Sequence, residues 1–374
     1  MRNSFLILLA SPLMAAQALS TSPLISIGED TNVYFDGFVS TAYSTNITLS
    51  GSNERDDLIT TLSPGLEVIF GEQASIVNAS AMIRNNIVRY ADNDEFDSEN
   101  WRLSGQVTYT DKPLTASASA FYTERQENQA LFRDERTLLR TRDHGASIDS
   151  RYYFTQKTSA STGFRYSETR FDSSTNRDRE HYTVPFNVYY QVRPAIDASM
   201  GVRYRRTEVS GGGRTENMFY NLGLSGEVTP KWTTTLNVGV SEHRPSSGND
   251  RTTLGITSHS TYTATQKSII RFRLNRDFEI AGQGDSVIST GGELIYVYIF
   301  NPFWNFQADG AYRRLDYQSR NREDDNYRVG ASANYNFAEY FTLSGSYRYR
   351  ENSSNAELAD YQDHTVSVSL RLRY

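Results

Sequence analysis

The residues with the most to offer chemically are arginines spaced two apart. Arg271 and Arg273, Arg348 and Arg350, and Arg371 and Arg373 all fall in stretches where polar and apolar residues alternate. Side chains two apart share one face of a strand, so each pair points the same way. The same polar phase carries Arg102, Arg165, Arg203, Arg313 and Arg328, and six carboxylates: Asp36, Glu67, Asp149, Asp197, Glu293 and Asp309. Two readings are open. Unpaired guanidinium groups around a pore favour anions, which would suit anionic sugars or an acidic polysaccharide. Guanidinium groups paired with carboxylates across strands only solvate and stiffen a wall. The candidate pore-lining set is Arg165, Arg203, Arg271, Arg273, Arg313, Arg328, Arg348, Arg371 and Arg373.

Other chemistry finds little support. The histidines are His144, His181, His243, His259 and His364, with no HExxH and no close metal-binding pair. His364 lies on the opposite phase from Ser367 and Ser369, and His259 is opposed to Ser258 and Ser260, so neither makes a nucleophile–base couple. The expectation is therefore not an enzyme, with no metal and no cofactor. Without cysteine there are no disulfides, thiolate metal sites or cysteine-linked lipid anchors. The acidic stretches Ala91–Glu99 and Arg322–Asp325 lack the spacing of a calcium loop, and Gly211–Gly213 reads as a flexible tip. A net charge of -6 argues against nucleic acid as a partner.

The elements that would hold these arginines are strands. In His364–Tyr374, Val366, Val368, Leu370, Leu372 and Tyr374 alternate with Thr365, Ser367, Ser369, Arg371 and Arg373. Such a strand, ending on an aromatic, resembles the closing strand of a bacterial outer-membrane barrel. Trp232–Ser241, Leu114–Thr123 and Phe341–Arg350 alternate in the same way. Short breaks at residues 71, 111, 155, 193, 230, 265, 301 and 338 take turns with long ones near 50–57, 91–99, 126–141, 172–179, 211–216, 246–250, 283–287, 319–325 and 353–362. This predicts an all-β fold: a transmembrane antiparallel up-and-down β-barrel of about 18 strands, with 16 as the alternative. The doubt comes from Ala74–Tyr90, where the phase reads as slipping near Arg84. Leu294–Phe300 is apolar on both faces, as if packed on an inner element or a partner subunit.

The polar phase is small and hydrophilic, so water suits the interior and lipid the exterior. A mean hydropathy of -0.58 fits a wall that is apolar only at alternate positions. Lys112, Lys157, Lys231 and Lys267 all sit at short turns, which would be periplasmic. Arg2, the apolar run Phe5–Ala10 and the small residues at Ala16 and Ala18 read as a signal peptide over 1–18. A short periplasmic segment, 19–31, would follow, and then the barrel, 32–374.

Asn46–Gln73 carries an Asn-Ile at the end of a first strand, a polar loop, and then Thr61-Leu62-Ser63-Pro64-Gly65-Leu66. This resembles the putative β-barrel porin-2 family. The resemblance implies an outer-membrane barrel, in some members associated with exopolysaccharide synthesis and export. The expected function is a pore for hydrophilic solutes, with anionic cargo or exopolysaccharide export as the finer readings. The rival is a plugged surface scaffold, against which stands the lack of any obvious long internal loop or plug domain. The expected partners are outer-membrane lipid, lipopolysaccharide and polysaccharide export machinery.

Overall fold

The computed structural model describes residues 22–71, 75–129, 131, 137–173, 175–246, 248–356 and 359–374. The predicted signal peptide, 1–18, lies outside the described residues. Twenty strand segments run in chain order. They begin with β1 (Ile25–Ile27), β2 (Thr31–Ser44), β3 (Asp57–Ser63), β4 (Gly65–Phe70) and β5 (Val77–Tyr90). Next come β6 (Ser98–Asp111), β7 (Leu114–Gln126), β8 (Arg140–Tyr153), β9 (Thr158–Asp172) and β10 (Arg179–Arg193). Then follow β11 (Ile196–Val209), β12 (Arg214–Thr229), β13 (Trp232–Pro245), β14 (Arg251–Thr265) and β15 (Ser268–Ile280). The last are β16 (Ser286–Ile299), β17 (Trp304–Tyr317), β18 (Glu323–Ala338), β19 (Phe341–Ser354) and β20 (Tyr361–Arg373).

With β3 and β4 taken as one strand, each strand pairs antiparallel with the next, and β2 pairs with β20 from Asp36↔Arg373 to Ser44↔Thr365, which closes the ring. β3 and β4 are two halves of one wall strand. Their register on β2 is unbroken, from Phe38↔Ser63 to Phe35↔Leu66. The ladder pauses only at Pro64, which has no N–H to give; its carbonyl still accepts from the amide of Asn85 at 3.1 Å. β1 is a short rider on the rim, pairing Ile25 with Val33. Twenty segments less β1, with β3 and β4 merged, give 20 − 1 − 1 = 18 wall strands, so the wall has 18 rather than 16.

The expected phase slip near Arg84 is absent. Gly65↔Arg84 and Leu62↔Ile87 share one register, and β5 pairs with β6 without a bulge. The local sequence misleads because Met82 and Val88 face inward and Asn85 outward, against the usual polarity of each face.

Large apolar side chains stand outward. Leu222, Met200 and Val368 keep 68 %, 61 % and 55 % of their surface. So broad an apolar belt suits lipid, not water. Aromatics border it on both sides. Phe154, Tyr190, Trp232, Phe303 and Trp304 lie by the short turns. Towards the long loops stands a row of tyrosines, several bonded to an acid two residues away on the same face. Tyr122 donates to Glu124, Tyr166 to Glu168 and Tyr349 to Glu351, at 2.6, 3.0 and 2.8 Å. Tyr182 and Tyr190 mark the two edges on one strand. At about 3.3 Å per residue and a tilt of roughly 40°, the band between them is about 20 Å tall. Above it the strands carry outward ion pairs such as Arg206–Glu208, Arg214–Glu216 and Arg244–Glu242.

In the doubly apolar stretch of β16, Leu294 and Tyr296 are exposed on the outer face. Ile295 and Val297 are buried on the inner one, opposite Asp309 and Gln307 of β17.

Candidate functional site

All nine arginines of the predicted set lie on the inner face, as the strand registers require. Most do not stand free. Arg371 Nε meets Asp36 Oδ1 at 3.0 Å, Arg373 meets Glu67 at 2.8 Å, and Arg165 pairs with Asp149. Arg273 and Arg328 share Glu293 at 2.8 and 2.5 Å. Arg313 reaches Glu279 at 2.6 Å and Arg203 reaches Asp277 at 2.5 Å. The six predicted inner carboxylates are all engaged, Asp197 by Arg151 at 2.7 Å and Asp309 by Arg328 at 3.8 Å. Arg271, Arg348 and Arg102 have no carboxylate within ion-pair distance among the described residues. The inner wall therefore mixes paired charge with a few unmatched cations.

The predicted set was incomplete. Arg84, Arg125, Arg151, Arg179, Arg205 and Arg350 also face inward, with Asp143, Asp277, Glu279 and Asp363. Carrying the alternation out to the strand ends would have found Arg125, Arg151 and Arg179, whereas Arg84 stands mid-strand, where the apparent slip hid its face. Arg84 Nη2 joins Asp36 Oδ1 at 3.0 Å, so one buried carboxylate ties β5 to β20 across the seam where the ring closes.

Two elements enter the half of the lumen nearest the long loops. The first is the described part of the loop between β7 and β8, residues 127–129, 131 and 137–139. Asn128 donates from Nδ2 to the carbonyl of Thr48 at 2.6 Å. Leu138 packs with Ile47 and Phe96, joining three loops into a small apolar core. Leu131 packs with Ala281, Val287, Leu315 and Tyr317, and its carbonyl accepts from the amide of Gly282 at 2.9 Å. β16 is nine strands on from β7 in a ring of eighteen, so this contact lies on the opposite wall. The expectation that no long loop enters the lumen is thereby overturned. Five residues from Gln126 to Leu131 reach at most ~18 Å, so the far wall must come inward to meet them.

The second element is that far wall. Pairing of β14 with β15 begins only at Ile256↔Arg276, whereas β15 pairs with β16 up to Ile280↔Ser286. Beyond Arg276, β15 leaves β14 and lies against the inner face of β10 to β13. Phe278 is 1 % exposed and stacks on His243 with ring centroids 4.8 Å apart. Ser241 donates to Asp277 at 2.8 Å, and His243 Nε2 meets Ser286 Oγ at 2.8 Å. Arg205 donates to the carbonyl of Phe278, and Arg179 donates to that of Ile280 at 2.5 Å. A strand edge needs partners for its carbonyls, and two arginines supply them in place of a neighbouring strand.

Glu127 sits at the root of the inward loop near Arg125, Arg348 and Arg350. Its side chain is about three-quarters covered, with 23 % of its surface left. That enclosure pushes its carboxyl up, outweighing the pull of Arg125, Gln129, Arg350 and Arg348.

Comparison with known proteins agrees with this architecture. Residues 298–374 match the family model described as putative beta-barrel porin 2, which bears out the resemblance read from Asn46–Gln73 on a different part of the chain. No curated protein matches. Among solved structures, OccK2 (OpdF) of Pseudomonas aeruginosa aligns with TM-score 0.50 and 9 % identity, over 92 % of this chain and 98 % of that one. The same protein in complex with glucuronate aligns equally well, with TM-score 0.50, 9 % identity and the same coverage. The outer membrane protein OpdK of Pseudomonas aeruginosa gives 0.49 and 10 %, over 92 % and 99 %. The fold is that of a porin-like outer-membrane barrel.

Proposed function

We propose that this chain is an outer-membrane channel for hydrophilic solutes, with a preference for anions. The observation that carries this reading is the charge of the inner wall. Its acids are bound by guanidinium groups, while Arg102, Arg271 and Arg348 are left over. A solute passing along that wall meets unmatched positive charge. Carboxylated sugars are a fitting cargo class: glucuronate is a ligand of one barrel of this fold, and unmatched arginines bind a carboxylate in two-pronged fashion. In this reading the long loops face outward, the outer belt meets membrane lipid and lipopolysaccharide, and the protein is a conduit rather than an enzyme. Assistance to exopolysaccharide export is the finer possibility, supported by the family resemblance.

Reversal potentials across a salt gradient in planar bilayers test the proposal. Anion preference is expected at low salt and should fall when Arg102, Arg271 and Arg348 are changed together to Gln. A pore with no preference, or one indifferent to the three substitutions, refutes it. A second reading, a non-conducting scaffold, is favoured by the two elements that enter the lumen. Absence of any single-channel conductance would support that reading.

A further inference from the structure

We infer that the end of the β15–β16 hairpin, Asp277 to Ser286, is a gate that exchanges between its place inside the lumen and a place in the barrel wall.

The first reason is the gap it leaves. β13 pairs with β14 all the way to His243↔Arg251, yet among the described residues no strand pairs with the other side of Arg251–Gly255. Leu254 is 53 % exposed there, level with Val240 and Tyr220 in the outward row. An open strand edge at that height borders lipid, which has no hydrogen bonds to offer it.

The second reason is the sequence of the displaced segment. Continuing the register of Ile256↔Arg276 would set Leu254 opposite Phe278 and Thr252 opposite Ile280. Phe278 and Ile280 would then face outward beside Leu254, with Asp277 and Glu279 facing the lumen. The segment thus keeps the alternation of a wall strand although it does not stand in the wall. Inside the lumen the same two apolar side chains are buried, Phe278 against His243. Both positions satisfy the same four residues.

The third reason is the hinge. Gly291 and Gly292 of β16 lie opposite Asn275 and Leu274, where β15 parts from β14. Two adjacent glycines in a strand allow a sharp bend. The latch on the lumen side is polar: Asp277 with Arg203, Arg205 and Ser241, and the Ile280 carbonyl with Arg179. Polar contacts in a wet lumen can be exchanged for water, so the latch is releasable.

The chain has no cysteine, so cysteine pairs can be read cleanly. His243→Cys with Ser286→Cys reports the lumen position, and Thr252→Cys with Ile280→Cys reports the wall position. A short reducible bis-methanethiosulfonate linker is applied to each variant in lipid bilayers. Both pairs are expected to cross-link. The first should suppress single-channel conductance until reductant is added; the second should raise it and abolish closures. Arg179→Gln, which weakens the latch without touching either pair, should shift cross-linking severalfold towards the wall pair. Failure of the Thr252–Ile280 pair to cross-link, in both the parent and Arg179→Gln backgrounds, overturns the gate. In a barrel that conducts, so does a conductance unchanged by locking the first pair. The cross-linking yields do not depend on conduction, so a gate in a non-conducting barrel would count against the channel reading alone.

Discussion

Asp36 is the carboxylate whose loss should cost most. It is 3 % exposed and holds Arg84 from β5 and Arg371 from β20, each at 3.0 Å. At that separation and an effective dielectric of ~20, each pair has a gross attraction of about 5 kcal/mol, offset by the desolvation of both ions. Asp36→Asn keeps the shape but removes the charge, leaving two enclosed guanidinium groups unmatched. Breaking a buried pair in this way costs roughly 3–5 kcal/mol. The Arg371 side chain is 35 % exposed, so water screens its share, and the Arg84 side chain, at 13 %, supplies most of the loss. The lower end, about 3 kcal/mol, is expected. Asp309→Asn is the control, since Arg328 keeps Glu293 at 2.5 Å, and should cost less than about 1 kcal/mol. Equilibrium unfolding in urea from lipid vesicles gives both values. Trp101, Trp232 and Trp304 all stand on the outer face, so their emission follows the departure of the wall from lipid. Equal losses from the two substitutions would refute the view that Asp36 carries the ring closure.

Three further outcomes are expected. Val368→Arg, which puts a charge in the lipid belt, should cost ~2–4 kcal/mol in the same unfolding assay, whereas Ser367→Arg, facing the lumen beside Ser346, should cost little; equal damage would disprove the assigned faces. With an impermeant thiol reagent on intact cells, Glu54→Cys and Glu95→Cys should label and Lys157→Cys and Lys267→Cys should not; the reverse pattern inverts the topology. Glu127 is held above the usual carboxylate range when its loop is docked and returns to that range when the loop is free. Docking is thus fully favoured below the usual range and weakens as pH rises through the docked value, so acid should lower conductance and Glu127→Gln should abolish that pH response.

What could be read in the sequence divides along the two faces of the wall. The outer face meets a uniform solvent, lipid, so each outward residue is chosen by one rule and the alternation survives from Leu114–Thr123 to His364–Tyr374. Strand count, phase and turn positions follow from that rule alone. Where it bends, the reading bends with it: Met82, Asn85 and Val88 imitate a slip that the register of β5 does not contain. The inner face obeys no local rule, because its partners come from distant strands. Arg203 is drawn to Asp277, which stands 74 residues on, and Leu131 to Leu315 on the opposite wall. Nothing within either strand distinguishes a paired arginine such as Arg273 from an unmatched one such as Arg271, two residues away on the same strand and face. The inward turn of β15 is the deepest case. Asp277–Ile280 carries the alternation of a wall strand, so periodicity assigns it to the wall, and only Gly291-Gly292 across the ladder hints that it can leave. A pattern compatible with both positions cannot choose between them. The choice is made by Arg179, Arg203 and Arg205, which hold the segment inside from strands four and five places away.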